Sequence, residues 1–212
     1  FGKHDFVMLN GDMSSSIENE EQLFRDFIDA SVNLYASETP ILYNRGNHET
    51  RGVFADSLGD YFPGRDGRFY GIYRYGDVCI LLLDCGEDKP DDDIEYYGMS
   101  DFDAYRADQA EWFKNLISSD WFKNSPVKII VVHVPPSWGA WHGSLHFRKL
   151  FMPLINESGA AVILSGHLHS FDPAKNRLPL YPADKDGINV PNVVNSNMDL
   201  MAVSASPEKV RI

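Results

Sequence analysis

Four short apolar runs, each followed at once by residues that can bind a metal, constrain this chain more than any other feature. Phe6 to Leu9 leads into Gly11-Asp12, and Pro40 to Tyr43 leads into Gly46-Asn47-His48-Glu49. Val127 to Val132 leads into His133, and Ala161 to Leu164 leads into Gly166-His167-Leu168-His169. Runs this short and apolar read as buried strands. In open α/β sheets, ligands gather beyond the carboxyl ends of the strands. Side chains from more than 150 positions of sequence can therefore meet on one rim. Gly11, Gly46 and Gly166 precede the polar groups, where a chain leaving a strand turns sharply and calls for positive φ. Two imidazoles with a carboxylate and an amide oxygen make a mixed N/O set, which suits Zn, Mn or Fe better than Ca or Mg.

Segments of helical period lie between the runs. Glu20 to Ala36 places Leu23, Phe24, Phe27, Ile28 and Leu34 on one face, with Asn19 as cap and Gln22 at the capping-box position. A second helix is predicted over Tyr105 to Ser118, buried through Trp112, Phe113, Leu116 and Ile117. A third, over Phe147 to Ser158, is crossed by Pro153 and closed by Gly159. Phe69 to Tyr75 and Val78 to Leu83 form a hairpin around Gly76-Asp77, and a Pro-rich loop precedes strand-like pieces near Val193 and Val203. This alternation predicts an α/β fold, with the hairpin and the late strands supplying a second, more antiparallel sheet. No repeat or linker divides the 212 residues, which read as a single domain.

The net charge of −12 argues against surface binding of nucleic acid or anionic membrane. It is compatible with a small phosphorylated substrate, because a bound metal reverses the sign locally. The apolar runs are far too short to span a bilayer. Cys79 and Cys85 stand six apart in one run, about 20 Å along a strand, too far for a disulfide. They read as small buried residues. Asp91-Asp92-Asp93 reads as part of a solvated loop, and Asp84 as a turn or capping residue.

The ordered set of GD at Gly11-Asp12, GNHE at Gly46 to Glu49, His133 in VVHVPP and GHLH at Gly166 to His169 resembles the calcineurin-like metallophosphoesterase superfamily. The GNHE form and Gln109-x-x-Trp112, ahead of the His133 strand, look most like its purple acid phosphatase branch. The resemblance implies a four-layer α/β/β/α sandwich and a dinuclear centre of two divalent ions, Mn, Zn or Fe. It implies metal-dependent hydrolysis of phosphoesters, monoester and diester alike. By motif, Asp12 would bridge the metals. Asn47, His133 and His167 would complete one site, and His169 would bind the other ion. His48 would bind no metal; it would face the substrate as general acid, with Glu49 holding its orientation.

Two positions depart from the family pattern. The opening D-x-H, or D-x-G in the purple acid branch, belongs on an earlier strand, yet only ten residues precede Gly11 and His4-Asp5 has the wrong order. The chain is therefore read as lacking its first strand and metal motif. The third residue after the bridging acid is Ser15, where the purple acid branch has Tyr, so no coloured tyrosinate centre is expected. His142 falls where that branch carries a substrate-side histidine, and His146 is read as a surface residue. Arg51, just past the GNHE turn, is a candidate phosphate contact or a surface salt bridge. A non-catalytic metal- or ligand-binding domain with a degraded second metal site is the competing reading. Aromatic richness and the resemblance point to an exported bacterial hydrolase. Oligomeric state has no sequence signal.

Overall fold

A computed structural model describes residues 4–170 and 178–212. The strands are β1 (Val7–Asn10), β2 (Ile41–Asn44), β3 (Gly71–Tyr75), β4 (Val78–Leu83), β5 (Val127–Val132), β6 (Val162–Ser165), β7 (Leu180–Tyr181), β8 (Asn192–Val194), β9 (Ser204–Ser206) and β10 (Lys209–Arg211). The α-helical pieces are α1 (Glu20–Leu23), α2 (Asp29–Ser31), α3 (Leu58–Tyr61), α4 (Phe102–Ser118), α5 (Asp120–Lys123) and α6 (His142–Glu157). The first helical stretch covers the expected 20–36, with π-helical turns at Phe24–Ile28 and Val32–Ala36. Its cap is as read: Asn19 Oδ1 accepts from Gln22 N at 2.9 Å. Part of the Pro-rich loop, 171–177, lies outside the described residues.

The large sheet runs β3-β4-β5-β6-β8-β7, with β4, β5, β6 and β8 parallel and the two edges antiparallel. β1 and β2 pair in parallel as a second sheet, and β9 and β10 form a separate hairpin. The hairpin around Gly76-Asp77 forms as expected. It joins the large parallel sheet, however, with the strand near Val193. The second sheet is thus parallel, not the antiparallel one that these pieces suggested. The reason is β4, whose six residues are apolar on both faces, as a central parallel strand demands.

The period-two alternation of side chains sorts the core into layers. Ile80, Leu82, Ile129, Val131 and Leu164 point to one face of the large sheet, where Phe6, Met8 and Leu42 meet them. Leu81, Leu83, Ile130, Val132 and Ile163 point to the other, against Phe113 of α4 and Phe147, Phe151 and Ile155 of α6. On the far side of β1 and β2, Leu9, Ile41 and Tyr43 pack on Leu23 and Phe27. The order is helix, sheet, sheet, helix, the expected four-layer sandwich.

Candidate metal centre

The loops after β1 and β2 touch backbone to backbone, and glycine makes this possible. A Cβ on Gly11 would meet Gly46 Cα at 2.4 Å and His133 Nδ1 at 2.7 Å. A Cβ on Gly46 would sit 2.4 Å from Asp12 N and Oδ1. Of the three glycines expected at positive φ, only Gly11 adopts it, at +74°. Gly46 and Gly166 serve close approach instead. Left-handed backbone falls on the chemical residues themselves: Asp12 at +57°, His167 at +65° and His169 at +46°. Each such residue costs on the order of 1–3 kcal/mol, and such strain gathers at functional sites.

Glu49 over-determines that geometry. Its fully buried carboxylate accepts from Asp12 N at 2.8 Å, Gly46 N at 2.9 Å, Ser14 N at 3.2 Å and Met13 N. It therefore clamps the Asp12 turn to the GNHE turn, rather than orienting His48 as expected. Burial, then the Asp12 charge, pushes its acid up from the ordinary range. The His48 ring is held by Ser15, with Nδ1 3.0 Å from the Ser15 carbonyl. A proton on Nδ1 donates to that carbonyl and leaves Nε2 free.

Asp12, His133 and His167 each direct one donor atom into a cluster whose atoms lie within 4.8 Å of one another. Asn47 joins them, its Oδ1 3.1 Å from His167 Nδ1. His133 Nδ1 donates to the Asn10 carbonyl at 2.7 Å, so Nε2 faces the cluster. That Nε2 is buried and 2.9 Å from Asp12 Oδ2, but without the alignment of a hydrogen bond. An orphaned, inward-facing nitrogen beside a carboxylate, an imidazole and an amide oxygen is a set that a divalent cation satisfies. The residues present fit a metal.

The metal-free electrostatics reflect the same crowding. For Asp12, burial raises the pKa, but the adjoining His133 and then His48 outweigh it and hold the acid at about 2. Burial lowers His133, yet Asp12 beside it leaves the imidazole above its ordinary value. His167 goes the other way, pushed down to about 4 by burial and then by His133.

His169 is exposed and lies outside this cluster. Arg51 pairs with the buried Glu87, with Nη2 3.2 Å from Glu87 Oε2 and also 3.2 Å from Glu95 Oε2, while its Nη1 lies 3.5 Å from His48 Nδ1. His142 and His146 occupy the first turns of α6, which starts five residues earlier than the sequence suggested. There they meet Asp103 at 2.8 and 2.9 Å. Arg106, fully buried, binds Asp103 Oδ1 at 2.5 Å and holds the Cys85 and Glu87 carbonyls.

Sequence reasoning missed Glu87 and Asp88, both buried, whereas Asp84, read as a turn residue and also buried, does accept from Gly86 N at 2.7 Å. Asp84 binds Arg45 at 2.7 Å and accepts from Tyr105 at 2.9 Å. Asp88 Oδ2 lies 3.7 Å from His167 Nε2. The strand-end rule that exposed the four motifs applies here too. β4 is parallel to β5, so its carboxyl end opens on the same rim. Two acids of the run read as a solvated loop act as caps: Asp91 accepts from Phe102 N at 2.7 Å and Asp103 N at 3.1 Å at the start of α4, and Asp93 accepts from Glu95 N at 3.0 Å.

Fold and site together define a two-sheet sandwich with a metal-ligand cluster at its strand ends. The chain belongs to the calcineurin-like phosphoesterase family, whose sequence profile matches residues 1–171. A solved purple acid phosphatase from yellow lupin (Lupinus luteus) seeds shares the fold at a TM-score of 0.52 and 18% identity. The alignment covers 90% of this chain and 36% of the lupin chain, so this chain spans about a third of that protein. No curated protein matches the chain. Family and cluster support a metal-binding hydrolase of this superfamily. Among the described residues no helix is long and apolar enough to cross a membrane.

Proposed function

We propose that this protein hydrolyses small phosphoesters with the help of a dinuclear metal centre. The observation that carries the reading is the convergence of Asp12, Asn47, His133 and His167 around the orphaned His133 Nε2. These four would hold one ion, with Asp12 shared and His169 contributing to the second. A pair of divalent ions supplies Lewis-acid stabilisation of the phosphoryl oxygens and a nucleophile at neutral pH. The chain's own residues do the rest. Asn47, a neutral amide, limits negative charge where an anionic substrate must enter. His48 stands on the same turn, its Nδ1 fixed by the Ser15 carbonyl at 3.0 Å. Its Nε2 would deliver a proton to the departing oxygen. Glu49 keeps both loops in register by gathering their N–H groups.

Membership of the purple acid phosphatase branch is the finer proposal, supported by the GNHE form, Gln109-x-x-Trp112 and the shared lupin fold. Ser15, in place of tyrosine, argues for a colourless Mn, Zn or Fe centre. An exported location is part of the same proposal. The exposure of His169 favours the second reading, a binding domain with one surviving metal site. The retained His48 opposes it, since a structural ion needs no general acid. The test loads the intact protein with Mn, Zn or Fe and assays a panel of phosphomonoesters and phosphodiesters. Metal-dependent turnover on either class supports the enzyme. Tight metal binding without turnover on any member favours the binding domain.

A further inference from the structure

We propose that Asp88 is a positioning residue: it orients His167 for metal binding by accepting a hydrogen bond from Nε2–H. The inference rests on the metal site proposed above. The two nitrogens of His167 face different partners. Nδ1 is 3.1 Å from Asn47 Oδ1, on the cluster side. Nε2 lies 3.7 Å from Asp88 Oδ2, the neighbouring carboxylate, just beyond hydrogen-bond reach. Ligation through Nδ1 fixes the ring proton on Nε2, and Asp88 is the carboxylate placed to accept its hydrogen bond. Such a partner selects the tautomer and raises ligand basicity.

Asp88 is built into this place rather than stranded there. Its other oxygen, Oδ1, binds Lys89 at 3.2 Å, and Lys89 reaches Glu95 at 3.1 Å. Its carbonyl accepts from Gly143 N at 2.7 Å, which ties the loop to the first turn of α6. Gly143 allows that approach, since a Cβ there would lie 2.1 Å from the Glu87 carbonyl oxygen and 2.9 Å from Asp88 Cα. Upstream, Gln109 holds the Asp84 N–H at 2.8 Å and its carbonyl at 2.6 Å. Trp138 packs edge-on against His167, ring centroids 5.6 Å apart. The imidazole thus has a wall, a ligand side and a proton-acceptor side.

The experiment is a calorimetric titration of the intact protein and its variants with Zn²⁺ or Mn²⁺ alone. Asp88→Ala should weaken affinity about 10–100-fold with stoichiometry unchanged. Asp88→Asn, whose amide oxygen still accepts from Nε2–H, should restore most of the loss. Thermal melts of the metal-free variants identify any that fail to fold. For those, Gly143→Ala, which displaces Asp88 without removing it, should weaken the metal in the same direction. Wild-type affinity in Asp88→Ala would overturn the proposal alone. A drop in stoichiometry would make Asp88 a ligand and overturn the positioning role. A wild-type protein that binds neither ion would overturn the metal site itself, and this inference with it.

Discussion

The chain carries two pairs of histidines near one another in space, and their fates are opposite. His133 and His167 leave parallel strands, with rings 5.4 Å apart around Asp12. One is protonated toward a backbone carbonyl, and the other faces an amide oxygen. His142 and His146 also sit beside a carboxylate, but at the start of α6, where Asp103 and Arg106 already satisfy them. The difference lies in what else is at hand. At the strand ends His133 Nε2 meets Asp12 Oδ2 at 2.9 Å without an aligned hydrogen bond, among donor atoms that a shared cation would satisfy. At the helix start every partner has a counterpart, and the cluster is complete as an ion-pair network.

The largest effect should fall on the first pair's shared acid. Asp12→Asn should lower metal affinity by about 100-fold or more, read by calorimetry, because it removes the only carboxylate of the cluster. His142→Ala should leave that affinity unchanged. Next comes the neighbouring histidine that binds no metal in this account. His48→Asn should retain the ions and lose about 10²–10⁴-fold in turnover. The loss should be larger on alkyl phosphates than on p-nitrophenyl phosphate, since poor leaving groups need the proton more. Release of metal by this variant would make His48 a ligand.

Much of this was legible because it is local. GD, GNHE and GHLH each place donor atoms a fixed step beyond an apolar run, and a parallel sheet brings such steps together. Glu49 was legible as a site residue, but its role was not. Three of its four backbone donors, at Asp12, Met13 and Ser14, come from a loop more than thirty residues away. Asp88 was hidden for a related reason, and Arg51, read as a phosphate contact or a salt bridge, lacked a named partner, since His167 and Glu87 are brought to them only by tertiary packing. The helix boundary was read five residues late, since α6 begins at His142. The parallel character of the second sheet was equally unreadable, for a strand of four residues does not announce its neighbour.

Stability sharpens the contrast further. Glu49→Ala leaves several buried N–H groups without an acceptor, at about 1–3 kcal/mol for each that water cannot reach. The midpoint of thermal unfolding should fall by roughly 2–4 °C per kcal/mol lost. His142→Ala removes a half-exposed pair with Asp103 and should cost about 1 kcal/mol or less. Equal losses in the two melts would remove the distinction between clamp and surface network.

Protons give the smallest and most specific signal. His133 titrates above its ordinary value because Asp12 outweighs burial, so its proton must leave before Nε2 can bind an ion. Metal affinity should therefore climb with pH, by about tenfold per unit while that one proton is displaced. It should level off above the raised value. The metal-free fold behaves oppositely with respect to this residue: its contribution is present at low pH and lost as pH rises through the folded value. His167 has the reverse sign. It is held at about 4 by burial and then by His133, so its share of stability is lost as pH falls through the window down to about 4. Titrations in buffers of different ionisation enthalpy count the released proton directly.

The central claim is that the strand-end histidines, and not the helical pair, form a metal centre. Anomalous diffraction from crystals soaked in Zn²⁺ or Mn²⁺ tests it most directly. The account predicts a peak bounded by Asp12 Oδ2, Asn47 Oδ1, His133 Nε2 and His167 Nδ1, with bonds of about 2.0–2.2 Å if the ion is zinc. A peak between Asp103, His142 and His146, or none in crystals that diffract well after soaking, would contradict it.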